Sequence, residues 1–104
     1  MTVEEIAKRT GATILVNTGK DSQSFYVGDF LSRVISKAPT DSCWLTVMTN
    51  VNVAGVATLA EIKTVLLCEG VTPDDRLLEK CKEEEISLLC TSLGAFEASR
   101  ELSK

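Results

Sequence analysis

Residues 43–91 read CWLTVMTNVNVAGVATLAEIKTVLLCEGVTPDDRLLEKCKEEEISLLCT and contain the pattern that decides the fold. Three short apolar runs, at 43–48, 64–68 and 86–91, are separated by stretches that are each long enough for one helix. Buried parallel strands need such a crossover between them. The stretch therefore predicts β-α-β-α-β, and with it an α/β fold.

The first crossover, VNVAGVATLA at 51–60, has both strand-like valines and a helical stripe. We interpret it as a helix because another buried strand, TVLLC at 64–68, follows it. The second crossover starts at Thr72-Pro73: Thr72 is predicted to cap the helix and Pro73 to occupy its first position. Its predicted inward residues are Leu77, Leu78 and Cys81.

The rest of the chain extends the alternation on both sides. Thr2 and Glu5 predict a capping box for a first helix that ends at Gly11, and strands are predicted at 12–16 and 25–27. Asp29 is predicted to cap a helix with the apolar face Phe30, Leu31, Val34, Ile35 and Ala38. A last helix is predicted at 94–102, with Phe96 and Leu102 inward. We expect one compact domain over residues 1–104, a mostly parallel sheet flanked by helices.

Composition excludes several classes of function. Eleven basic and fifteen acidic residues give a net charge of −4, which argues against a nucleic-acid partner. The chain has no histidine, so histidine-based catalysis and histidine-ligated metals are excluded. No apolar run reaches the roughly 20 residues of a membrane span. The charged N-terminal segment is unlike a signal peptide, so we expect a cytoplasmic protein.

Catalytic and cofactor motifs are missing from the sequence. The cysteines Cys43, Cys68, Cys81 and Cys90 form no C-x-x-C pair, so they predict no metal site. They are interpreted as small buried apolar residues, the alternative being nucleophiles that would lack a histidine base. The only Gly-Lys pair is followed by Asp21, which rules out a phosphate-binding loop. We predict a protein that is not an enzyme and that has no cofactor.

Polar and glycine residues follow the predicted strands at their carboxyl ends, where open α/β sheets bind ligands. Two interpretations stay open: these residues cap helices only, or they also line a crevice for a small anionic or nucleotide-like ligand. The candidates are Gly28, Asp29, Thr49, Asn50, Asn52, Gly70, Thr91 and Ser92. Trp44, at the start of a strand, is either a core residue or part of a partner interface.

Four features occur in order along the chain: the Gly28-Asp29-x-Leu31-Ser32 turn into a helix, the strand followed by Thr49 and Asn52, the strand ending in Glu69-Gly70, and the Ile86 strand with its Phe96 helix. With these features the chain resembles the DRTGG domain family over nearly its whole length. Long members carry a Gly-Asp-Arg-Thr-like loop where this chain has Thr49-Asn50-Val51-Asn52, and a Thr-Gly-Gly-like end where it has Cys68-Glu69-Gly70. The chain is similar to the short, stand-alone members.

The resemblance implies a fold like that of the N-terminal domain of HPr kinase/phosphorylase, without that enzyme's separate kinase domain. It implies a regulatory or dimerising module, as in CBS-domain pyrophosphatases. We therefore predict a non-catalytic module, a homodimer, whose ligand is a nucleotide or a phosphorylated metabolite. The alternative is an accessory or assembly subunit of an iron-only hydrogenase or redox complex, with a redox-enzyme partner. A serine kinase-type enzyme is the third candidate.

Overall fold

The computed structural model describes residues 1–104 and confirms the predicted alternation of helices and strands. Ten elements follow each other along the chain. They are α1 (Val3–Thr10), β1 (Thr13–Val16), β2 (Ser24–Val27), α2 (Leu31–Lys37), β3 (Ser42–Thr46), α3 (Asn52–Leu59), β4 (Thr64–Leu67), α4 (Asp75–Glu83), β5 (Ser87–Cys90) and α5 (Ala95–Leu102).

The five strands form one sheet in the order β1-β5-β4-β3-β2. Strands β2 to β5 are parallel to their neighbours, and β1 runs antiparallel to β5 at one edge. Every residue of β3 and β4 is buried, because both faces of the sheet centre are covered. The α/β class and the mostly parallel sheet are thus confirmed.

Helices cover the sheet on two sides. Val34 of α2, Val53 of α3 and Leu77 of α4 pack in one core cluster with Trp44 of the sheet. Ile6 of α1 packs in a second cluster with α5 and the strand residues Cys43, Leu45, Leu66 and Leu89. Helix α1 also contacts α5 directly. Because the strand side chains alternate between the two faces of the sheet, they contribute to two separate cores.

The predicted start of α1 is confirmed and that of α4 is wrong. The Thr2 hydroxyl accepts from the Glu5 N–H (3.0 Å), the Glu5 carboxylate accepts from the Thr2 N–H (3.2 Å), and the helix ends at left-handed Gly11. Helix α4 begins at Asp75 rather than at Pro73, after Asp74. The Asp74 N–H donates to the Thr49 carbonyl (3.0 Å), so residues 71–74 cross the end of the sheet before the helix starts.

Three residues predicted to face inward lie at the surface. Phe96 is 74% exposed, Phe30 is 68% exposed and Ile35 is 44% exposed. Phe30 is the residue before α2 and Phe96 lies in the first turn of α5, and neither ring belongs to a core cluster. Leu102, the other predicted inward residue of α5, is buried.

Trp44 is a core residue, and its predicted place in an interface is corrected. The side chain is fully buried, so it has no surface to offer a partner. Its indole Nε1–H donates to the Gly28 carbonyl (2.7 Å), which satisfies the one polar atom of the ring. The bond also fixes the turn between β2 and α2.

The five helices are short, the longest having nine residues, and none is long and apolar enough to cross a membrane.

Candidate functional site

The four parallel strands end at one edge of the sheet, which we call the carboxyl edge and define as residues 28–30, 46–52, 68–75 and 91–97. All eight candidate residues belong to these segments. Asp29, Asn52, Gly70 and Ser92 are exposed, Gly28, Thr49 and Asn50 are half-buried, and Thr91 is buried.

The Asp29 carboxylate joins the ends of two strands instead of capping α2. Its Oδ1 accepts from the Thr46 hydroxyl (2.6 Å) and from the Val47 N–H (3.0 Å). The residue before α2 is Phe30, and no side chain caps that helix. The predicted cap is therefore wrong, and one carboxylate oxygen is left without a partner in the chain.

The loop after β3 brings two asparagines together. The Asn50 Oδ1 accepts from the Asn52 N–H (2.9 Å), and this bond orders the entry to α3. The Asn50 amide nitrogen and the Asn52 side chain make no hydrogen bond within the chain. Asn52 also lines a groove between α2 and α3, which lies on one side of the sheet.

Thr91 has a structural role that occupies its side chain. Its buried hydroxyl donates to the Thr10 carbonyl (2.7 Å) and accepts from the Leu93 N–H (3.2 Å). It links the end of α1 to the loop after β5, so its hydroxyl is not available to a ligand. Ser92, next to it, is exposed and its hydroxyl makes no bond within the chain.

The two candidate glycines at the edge are explained by the fold. A Cβ at Gly28 would lie 3.1 Å from the ring of Tyr26, so only glycine fits this turn without displacing the ring. Gly70 has φ +72° and follows Glu69 at φ +64°, which makes a left-handed turn after β4. The Gly70 N–H then donates to the Thr91 carbonyl (2.9 Å).

The charge of the carboxyl edge has a single sign. The four segments carry carboxylates and neither lysine nor arginine. Because no cationic side chain lies within these segments, a free phosphate would meet net repulsion there. The edge is better suited to ligand groups that donate hydrogen bonds. The carboxylates are Asp29, Glu69, Asp74, Asp75 and Glu97.

Two grooves lie on the side covered by α2, α3 and α4, and they reach the carboxyl edge at Val51, Asn52 and Asp75. One groove of about 450 Å³ runs between α2 and α3, and one of about 270 Å³ lies against α4. Both are lined by Val51 and Lys80, so they adjoin. Of the predicted site residues, only Asn52 lines either groove. The sequence signal for this surface is a run without charge, Ser42 to Ala60.

The cysteines are placed for packing. Cys43, Cys68 and Cys81 are buried, and Cys90 is half-buried. Burial raises the pKa of the Cys68 and Cys81 thiols to about 11, and it raises the pKa of the Cys43 and Cys90 thiols as well. A thiol with a raised pKa is protonated at neutral pH and is a poor nucleophile.

The family model of the DRTGG domain matches residues 5–104. The chain belongs to the DRTGG domain family. A search of curated proteins gives no match.

This DRTGG domain is similar in fold to a solved regulatory region. That structure contains the CBS and DRTGG domains of the Clostridium perfringens pyrophosphatase in complex with its activator, diadenosine tetraphosphate. The TM-score is 0.81 at 13% sequence identity, and the match covers 97% of this chain and 45% of the other. The chain thus spans less than half of that region.

Proposed function

We propose that this DRTGG domain is a non-catalytic regulatory module that acts as a homodimer and binds a nucleotide-like ligand at the carboxyl edge, through its base and ribose. The observation that carries the ligand proposal is the set of exposed or half-buried hydrogen-bonding groups that the fold leaves unpaired beside carboxylates. They are the second carboxylate oxygen of Asp29, the Asn50 amide nitrogen and the Ser92 hydroxyl.

These groups match the polar atoms of a nucleoside. A carboxylate accepts from ribose hydroxyls, as acidic residues do in dinucleotide-binding sheets. The Asn50 amide donates to ring nitrogens or carbonyls of a base. The similar pyrophosphatase region, which holds a dinucleotide, supports this class of ligand for the family's fold.

Exposed aromatic rings stand at both ends of the edge. Phe30 follows β2 and Phe96 follows β5. Three strand spacings separate β2 from β5, about 14 Å, so one base can stack on only one of the rings. We place the base on Phe30, because Asp29 and Asn50 belong to that half of the edge.

The charged residues of the carboxyl edge are all acidic, and we expect this to set the order in which ligands of different charge bind. Five carboxylates disfavour inorganic phosphate and acyl phosphates, and the one arginine that shares a groove with edge residues, Arg76, lies between carboxylates. A nucleotide would bind with its phosphates turned toward solvent. Nucleosides should therefore bind at least as well as their triphosphates, and phosphorylated metabolites without a base should not bind.

A thermal-shift series tests this proposal, with adenosine, guanosine, their mono- and triphosphates, and acetyl phosphate. A ligand at a hundred times its Kd adds about 2.7 kcal/mol, a rise of several degrees in Tm. We expect a nucleoside to raise Tm and acetyl phosphate to leave it unchanged. Asn50→Ala should abolish the rise, whereas Gln23→Ala, which removes an exposed amide before β2, should keep it.

Two results would count against the ligand proposal. A rise in Tm that survives Asn50→Ala would place the ligand elsewhere. No rise with any nucleoside or nucleotide would overturn the proposal of a nucleotide-like ligand. The redox-enzyme partner stays a prediction, and co-purification with a hydrogenase or electron-transfer subunit would test it.

A further inference from the structure

The outer surface of α2 and α3 is apolar and exposed. We call it the α2–α3 face and define it by Leu31, Ile35, Asn52, Gly55 and Leu59, which all line the larger groove. Leu59 is 72% exposed and Ile35 is 44% exposed. Surface helices normally turn polar residues outward, so a face of this kind calls for a covering partner.

Helix α3 and the residues that flank it in the sequence carry no charge. No charged residue occurs between Asp41 and Glu61, although a quarter of the whole chain is charged. A charged partner would therefore find no complementary group on α3, and the one charged side chain that lines the larger groove is Lys80 of α4. A surface that packs against its own copy gains from neutrality, because charges near a two-fold axis meet their own sign.

No contact within the isolated chain requires a glycine at position 55. It lies inside α3, and a Cβ added there would meet no atom within 4 Å. Alanine at this position would stabilise a free helix relative to glycine. The glycine therefore points to close approach by another backbone, as happens where two helices cross over a small residue.

We infer that a second copy of this chain covers the α2–α3 face, with the two α3 helices crossing near Gly55 and each Leu59 seated in the partner's groove. The inference rests on the dimer proposed above and assigns its surface. In such a contact the same residues serve both copies, and with the two-fold axis along α3 each Gly55 lies beside its own copy, where the two backbones can approach closely.

The charges flanking α3 fit one orientation of that axis. The charged residues of α2 are Arg33 and Lys37, both basic. The segment 74–85, which contains α4, carries six carboxylates and three basic residues. A two-fold axis along α3 would place α2 of each copy against α4 of its partner, so that basic and acidic flanks meet.

The size of the molecule fits a dimer that uses the whole helical layer. Its Cα extents are 29 × 26 × 23 Å. One face thus measures roughly 600–750 Å² before side chains are added, and a standard interface needs about 800 Å² per partner. The groove alone is too small, so α2 and α4 must contribute the rim.

Sedimentation equilibrium of the full chain tests the inference with a matched pair of variants. Leu59→Lys places a charge at the centre of the proposed interface, and Phe96→Lys places one at an equally exposed position on α5, on the other side of the sheet. We expect a wild-type dimer, a rise of at least tenfold in Kd for Leu59→Lys, and no change for Phe96→Lys.

Cross-linking gives a second measurement that does not depend on destabilising the dimer. The native cysteines are buried or half-buried, so Gly55→Cys would introduce a uniquely accessible thiol. Close to the axis, it should form a disulfide with its own copy on mild oxidation. Ser92→Cys, exposed at the carboxyl edge, is the control and should stay monomeric on a non-reducing gel.

The outcomes separate this inference from the function it rests on. A wild-type dimer that persists in Leu59→Lys and gives no Gly55→Cys cross-link would overturn the assigned face and leave the dimer standing. A wild-type monomer at every concentration would overturn the face and the dimer together. Neither result bears on the nucleoside site, which the thermal-shift series decides separately.

Discussion

Helices α3 and α4 hold equivalent positions and differ in the surfaces that they turn outward. Each connects two parallel strands, and each packs on the same side of the sheet. Both end in the same turn: Glu61 and Glu85 are left-handed at φ 56°, and the next residue, a buried isoleucine, donates its N–H to Ala57 and to Cys81 respectively. The turn follows the Schellman pattern.

The outer residues separate the two helices. Helix α4 presents the charged side chains Asp75, Arg76, Glu79 and Glu83, as expected of a helix in contact with water. Helix α3 presents Asn52, Gly55, Thr58 and Leu59. Both helices pack their inner faces on the same side of the sheet. The difference between their outer faces therefore reflects what contacts those faces from outside.

The largest expected change in the free energy of unfolding tests whether the monomer is stabilised by the inner faces of its helices alone. Leu77→Ala, at a fully buried position of α4, should lower the free energy of unfolding by about 2–5 kcal/mol. Leu59→Ala should change it by less than about 0.5 kcal/mol in dilute solution. Urea unfolding followed by the fluorescence of the single tryptophan, Trp44, measures both. Equal losses would mean that Leu59 is already packed in the monomer.

A smaller effect tests the equivalence of the two turns. Glu61→Gly and Glu85→Gly should each raise the free energy of unfolding by about 1 kcal/mol, because glycine relieves the left-handed strain. Glu84→Gly, at φ −90°, should instead lower it. Thermal unfolding of the three variants provides the comparison. A loss of stability at Glu61 or Glu85 would show that the two turns are not interchangeable.

The smallest effect has opposite signs in monomer and dimer. Gly55→Ala should stabilise the monomer by about 0.5–1 kcal/mol, because alanine favours a helix and the site has room for its methyl group. The same methyl group should raise the Kd of the dimer. Unfolding at low concentration and sedimentation at high concentration measure the two quantities. Tighter association in this variant would contradict close contact at Gly55.

The repeated strands and helices could be predicted because their signals are local. TVLLC at 64–68 is too short for a helix and has no polar face, so it requires crossovers on both sides, and the structure confirms α3 and α4 there. The capping box of Thr2 and Glu5 is equally local, as its partners lie three residues apart.

Predictions failed, or stayed open between alternatives, where the deciding partner is distant in sequence. The start of α4 depends on the Thr49 carbonyl, the role of Asp29 on Thr46, and that of Thr91 on Thr10, 81 residues away. The parallel strands did allow the candidate residues to be placed at one edge. The sequence could not show that Asn52 also lines the groove, since its side chain direction depends on how α3 packs.

The pairing of β1 with β5 has a consequence for the order of folding. Helix α1 and strand β1 are made early, yet they pack on α5 and β5, the last elements of the chain. Contacts that span nearly the whole sequence close a large loop and tend to form late. We expect β3 to β5 to gain protection from hydrogen exchange first, with residues 3–16 joining last. Simultaneous protection of both segments would show that folding does not begin in the centre of the sheet.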